Sequence, residues 1–368
     1  MNRFSRCIWL VLLSGGLISC SLPYYWQAAE GQLGLLRKRV SIEKVLDDRN
    51  EDQSLQEKLR LVSEIRQFAV MELGLPDNAS YKSYADLQRG YVVWNVVAAE
   101  EFSVDPIRWC FPFVGCVAYR GFFDEEGARN FAEQLDKRGL DTYVVGSAAY
   151  STLGYFADPV LNTMLIRGEE YLVGVLFHEL AHQQLYIKDD SELSEAFATT
   201  VEEYGTQRWF KTRHNQQALQ LYREKLARRA QFAQLIAEQQ GRLREAFSET
   251  ASPESMGVTK ANVYNAIRAD YQELKNQWEG ANEYDNWFSS SLNNAKLASV
   301  SIYRRWVPGL HWYLSVNGLP AFYSELEALS RLAWDDRRLH LESWLESALS
   351  GPHSGAAERA VAENDRSG

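Results

Sequence analysis

One stretch constrains this chain more than any other: Val175-Leu176-Phe177-His178-Glu179-Leu180-Ala181-His182-Gln183. It contains H-E-x-x-H. Two histidines four apart lie on one face of a helix, where both imidazoles reach a single metal ion. Residues 171–187 repeat apolar side chains at helical spacing (Leu172, Val175, Leu176, Leu180, Leu185), so the motif sits on a buried helix. Two histidines and a glutamate are costly there unless something pairs with them. With 6 His in 368 residues, the pattern arises by accident in roughly one chain in a hundred of this composition. The reading is therefore His178 and His182 as metal ligands and Glu179 as general base. Glu179 would hold a water whose pKa a bound Zn2+ lowers towards about 7. The alternative is an ordinary helix with two hydrogen-bonded histidines.

A catalytic zinc keeps three protein ligands and one open position. The extended pattern H-E-x-x-H-x-x-G-x-x-H is excluded, because Leu185 and Lys188 occupy its glycine and third-histidine positions. The next helix opens at Asp190 or Ser191, either of which can cap it, and Gly205 can end or bend it. Glu195, Thr199 and Glu202 share one face of that helix. The pair His178-Glu-Leu-Ala-His182-Gln and Ser194-Glu195-Ala-Phe-Ala resembles the HELAHQ…NEGFA pair of gluzincin aminopeptidases, with a shorter spacing than in the large ones. By that resemblance Glu195 is the third zinc ligand. Glu202 is either an acceptor for the far nitrogen of a ligand histidine or a solvated charge, and Glu203 reads as solvated. Tyr303 and Tyr204 compete as the hydroxyl that would stabilise a tetrahedral oxyanion, with simple packing as the alternative for each.

Residues 1–19 read as a targeting segment. Arg3 and Arg6 precede a short apolar core, and Leu17-Ile18-Ser19-Cys20 resembles a bacterial lipobox. That resemblance implies cleavage before Cys20, lipid on Cys20, and a chain held on a membrane through that lipid. Ser21 resembles the sorting pattern for the outer membrane. An ordinary signal peptide is the alternative. Removal of the leader takes two arginines and shifts the formal charge from −10 to −12. An acidic chain with no basic run is a poor nucleic-acid binder. Apolar content of 46% supports a packed core. Residues 20–349 then form one peptidase domain opened by a helical pair. Residues 350–368, rich in Gly, Ser, Ala and charge, read as a disordered tail.

Helices are expected over 23–39, 43–75, 124–135, 192–210, 216–247 (one long helix or a helical pair), 258–278, 296–306 and 319–349. Strands are expected over 91–99, 102–109, 117–123 and 141–146. Once Cys7 goes with the leader and Cys20 with the lipid, Cys110 and Cys116 remain. Export permits a disulfide, and Pro112 and Gly115 supply a turn between them; two buried thiols are the alternative. The stretch Ala148 to Pro159 is too rich in small polar and glycine residues for a core strand. Ser151, Thr152 and Gly154 are candidates for an exposed edge that takes an extended peptide, with a plain connecting loop as the alternative.

The larger pattern has five parts: WCFP…GC…YRG, AYSTLG…DP.LNT, HELAHQ, EAFAT and NNA…LA…Y..WVP. It resembles a bacterial, gluzincin-like zinc aminopeptidase family whose activity is itself inferred from the motif. The expected fold is α+β: a mainly helical body beside a small mixed β-sheet, with one Zn2+ between two consecutive helices. The expected function is a zinc-dependent aminopeptidase of the bacterial cell envelope, acting on peptides and anchored by lipid to the outer membrane facing the periplasm. The reading from another class is a catalytically silent, zinc-bearing binding or scaffold lipoprotein.

Overall fold

The helix Glu169–Gln184 is enclosed by other elements for most of its length, with Leu172 through Phe177 and Leu180 through His182 buried in succession. This computed structural model describes residues 22–111, 114–247 and 252–350, without the side chains of residues 22 and 301–303. The expected leader over residues 1–19, Cys20 and the residues beyond 350 expected as a tail lie outside the described residues, as does the side chain of Tyr303.

The partner of the buried helix is Ser191–Thr212, itself buried along most of its faces. The two approach closely because glycines stand at their contacts. A Cβ on Gly174 would lie 3.1 Å from Glu202 Oε1, and one on Gly205 would lie 2.6 Å from Leu73 and 2.7 Å from Phe177. Gly205 therefore neither ends nor bends its helix; it lets a third helix, Gln53–Leu73, close over the pair. Phe68 of that third helix meets the Phe177 ring at 5.8 Å and the Trp209 ring at 5.3 Å.

The single helix expected over 43–75 is two, Ile42–Asp47 and Gln53–Leu73. The break has a local cause. The Gln56 amide donates to the carbonyls of Val45, Leu46 and Asp48, which satisfies the end of the first helix. Asp52 then caps the second by accepting from the Leu55 N–H.

Beside the helices lie short strands. Val93–Glu100 is the centre of an antiparallel sheet between Arg120–Phe122 and Leu140–Ser147. The helix Glu125–Asp136 covers one face with Ala128, Ala132 and Leu135, and Asp124 caps its start. Ser83–Ala85 pairs antiparallel with Val40–Ser41 and parallel with Val160–Leu161, a second, mixed sheet. A two-stranded hairpin joins Trp109–Phe111 to Gly115–Val117. The strand expected over 117–123 is split at Ala118 and Tyr119, and the one expected over 102–109 leaves only a bridge, Ala99 to Pro106, and the hairpin's first strand.

The helix Asn294–Arg304 fills the space between the antiparallel sheet and Ser191–Thr212, with Ala295, Leu297 and Ala298 buried. Gln216–Ala246 is one continuous helix. It packs on Pro253–Gln277 through Phe232, Ile236, Ile267 and Tyr271, a satellite core apart from the main one. The C-terminal helices are Val307–Ser330, kinked where Gly318 takes φ 78° ahead of Pro320, and Trp334–Ser350. The whole is α+β and mainly helical, and no described helix is long and apolar enough to cross a membrane.

Candidate metal centre

His178 and His182 project from the same face of Glu169–Gln184, one turn apart, and their Nε2 atoms stand 3.1 Å from each other. Glu195, on the second turn of Ser191–Thr212, brings Oε2 to 3.3 Å from the first nitrogen and 3.6 Å from the second. The three donors thus form a small triangle. Ligand atoms about 2.0–2.1 Å from a tetrahedral ion stand about 3.3–3.4 Å from one another, which is the size of this triangle. Two imidazoles and a carboxylate are a donor set suited to zinc and similar divalent ions.

The electrostatics fit a cation as well. Glu202 Oε2 lies 3.0 Å from His178 Nδ1, on the far side of the ring. With the Nδ1–H donated there, the Nε2 lone pair faces the triangle. Burial alone would lower the His178 pKa, yet hydrogen bonds to Glu195 and Glu202 carry it well above the usual histidine value. Burial would raise Glu195, and the two histidines hold it far below the usual carboxylate range. Two carboxylates in so enclosed a place call for positive charge. A metal ion would supply at the centre what protonated histidine otherwise must. His182 Nδ1 is buried and finds no partner among the described residues.

Glu179 follows His178 and so points about 100° away from it around the helix. Its carboxyl is pushed up by burial, an effect that His178 and His182 oppose but do not cancel. It shares a face with Gln183, whose Oε1 accepts from Asn78 Nδ2 at 2.6 Å. The negative charges of Glu179 and Asp158 also push up the pKa of Tyr81, after burial itself, which places the Asn78–Tyr81 segment on the Glu179 side of the helix.

Ser151, Thr152 and Gly154 lie beside this face but form no strand. Thr152 donates from its backbone N–H to Asp158 Oδ2 at 2.8 Å and from its hydroxyl to Asp158 Oδ1 at 2.9 Å. Ser151 donates to the same carboxylate at 3.3 Å. The small polar residues thus fold the segment onto its own buried aspartate, where an exposed sheet edge was expected. Gly154, at φ 82°, rests on the side chain of Gln183, so the loop covers the end of the motif helix.

Tyr204 is two residues past Glu202 and thus about 200° around the helix. Its interactions are with Arg208 and Tyr323, and the structure does not bring it to the histidine pair. Glu203 is not the solvated charge expected of it. It is 3% exposed, and its carboxylate accepts from Arg304 Nη1 at 2.5 Å and His311 Nε2 at 2.8 Å. Those partners lie 101 and 108 residues away in the chain, so no local signal marked it.

Cys110 and Cys116 form a disulfide between directly opposed residues of the hairpin. No curated protein and no solved structure matches the chain. A family model described as "Putative aminopeptidase" does, over residues 23–341, nearly all of what the structure describes and every residue of the centre. The chain belongs to that family.

Proposed function

We propose that this protein is a zinc-dependent aminopeptidase of the gluzincin kind. His178, His182 and Glu195 would hold one Zn2+, with Glu179 as general base. Membership of an aminopeptidase family supports peptide hydrolysis in general. The observation that carries the finer reading is the triangle of two Nε2 atoms and one carboxylate oxygen with a raised, partly buried glutamate beside it. When bound, the ion supplies a Lewis acid and a water of lowered pKa.

The protein's own residues do the rest. Glu179 takes a proton from the attacking water and delivers it to the leaving amine nitrogen, and its raised proton affinity suits it to both transfers. Glu202 fixes the ring of His178 through Nδ1. Gln183, one turn beyond Glu179 on the same face, is held by Asn78 and covered by Gly154 of the 151–158 loop.

Replacing Glu179 by Gln removes a base and no ligand. We expect zinc content to stay at the parent level while peptide cleavage falls by about 10²–10⁴-fold. Loss of metal and cleavage together would show that Glu179 is misassigned. A parent protein that binds zinc and cleaves no peptide from a terminally unblocked library would leave the silent scaffold reading in its place.

The lipobox motivates a second proposal, that Cys20 carries lipid and holds the enzyme on the outer membrane of the cell envelope. A Cys20→Ala chain should leave the membrane fraction or fail to mature. Unchanged processing and fractionation would refute the anchor.

A further inference from the structure

The loop joining the two site helices, residues 185–190, is gripped by an element from elsewhere in the chain. The hairpin of Trp109–Phe111 and Gly115–Val117 is a two-stranded ribbon, and such a ribbon alone is marginal in water. The Cys110–Cys116 bond closes it covalently.

The closed hairpin then meets the loop at several points. The Tyr186 hydroxyl donates to Val114 O at 3.0 Å, and the Cys116 N–H donates to Asp189 Oδ1 at 2.9 Å. Arg108 Nη2 donates both to Cys116 O at 3.1 Å and to Asp189 O at 2.5 Å. Gly115 takes φ 76°, and a Cβ there would lie 2.8 Å from Asp189 N, so the two backbones touch. Asp189 itself holds φ 66°, a region costly for a residue with a side chain.

On its other side the loop is tied into the helix that carries Glu195. Asp190 accepts from the Leu193 N–H at 3.1 Å. The Ser194 hydroxyl donates to Ile187 O at 3.2 Å and accepts from the Ile187 N–H at 3.0 Å. Glu195 is the next residue. A shift of Asp189 therefore shifts the start of that helix against His182, two residues before the end of its own helix.

We propose that Asp189, clasped by the disulfide-closed hairpin, is the positioning residue that sets Glu195 against the histidine pair. It touches neither metal nor substrate and acts through residues 185–190. A metal centre must be held to within about 0.5 Å, and here part of the hold comes from outside both ligand helices. The inference rests on the metal reading of the centre.

Zn2+ dissociation constants, measured on the full chain by competition with a chromogenic chelator, test it. The proteins are the parent, Asp189→Gly, Asp189→Asn and a Cys110→Ser, Cys116→Ser double variant, each with its metal-free unfolding midpoint. Glycine removes the carboxylate and tolerates the backbone angle. We expect the dissociation constant to rise about tenfold or more, the scale seen when a ligand's support is lost, with the metal-free midpoint near the parent's. Asparagine keeps an oxygen for the Cys116 N–H and should restore parent affinity, and the double variant should weaken binding as glycine does. Parent-like affinity in Asp189→Gly, or equal weakening by glycine and asparagine, would overturn the proposal. If the parent binds no Zn2+, the metal reading fails instead. Amide exchange over residues 185–195 then decides the clasp: faster exchange in the glycine and double variants, with parent rates in Asp189→Asn, supports it, and parent rates in the glycine variant refute it.

Discussion

At the scale of single residues, the centre divides sharply into what is local in sequence and what is not. The histidine pair is local, because a spacing of four on an apolar helix places both rings on one side before any tertiary contact forms. Glu195 was legible only through resemblance, since its meeting with His178 depends on how the loop between the helices turns. Glu202 and Glu203 are the instructive neighbours. They are adjacent in sequence and both acidic, and about 100° of helix separates them. One meets His178 Nδ1 at 3.0 Å; the other is buried with Arg304 and His311. Nothing in the sequence distinguishes a carboxylate that bonds the His178 ring from one that ties helices together. The role given to Glu202 makes a definite prediction. Glu202→Ala should weaken Zn2+ binding by about 10–100-fold, because the His178 ring loses the acceptor that fixes its orientation. Equilibrium competition for Zn2+ reads this directly, and unchanged affinity with an intact fold would remove Glu202 from the centre.

At the scale of elements, helices were far more legible than strands. A helix of three or more turns repeats its apolar face several times and carries its own caps, as Asp52, Asp124 and Asp190 show. A strand of three residues repeats nothing. Arg120–Phe122, Trp109–Phe111 and Gly115–Val117 exist as strands because partners distant in sequence or a covalent bridge hold them, and alternation over so short a span is no signal. The 148–159 segment shows the opposite difficulty. Its small hydroxyl residues suggested open backbone waiting for a peptide, whereas Asp158 takes up both Ser151 and Thr152. Polar composition reports that hydrogen bonds will be made and is silent on whether the partner is substrate or self. The glycines were equally ambiguous. Gly205 has the sequence look of a helix end, and its use is to let Leu73 and Phe177 approach.

At the scale of the whole molecule, Glu203 joins three helices from distant parts of the chain. It stands on the second site helix, Arg304 ends the helix Asn294–Arg304 against the sheet, and His311 lies on the kinked helix Val307–Ser330. Burial would raise the Glu203 carboxyl; Arg304 and His311 overcome that and bring its pKa down to about 2. The sign for stability follows. A carboxylate with a folded-state pKa below its unfolded value contributes stability above the unfolded pKa, near 4.5, and loses it as pH falls towards the folded value of about 2. Glu203→Gln should therefore cost stability at neutral pH, by about 3 kcal/mol or more, because the Arg304 charge is left enclosed without its counter-charge. Denaturant midpoints of the two proteins should converge as the medium is acidified through that window, since the parent then loses what the variant never had. Arg304 stays charged throughout, so the convergence does not report a change on Arg304. A gap between parent and variant that stays constant from neutral pH down to about pH 2 would show that the carboxylate charge carries none of the connection between these helices.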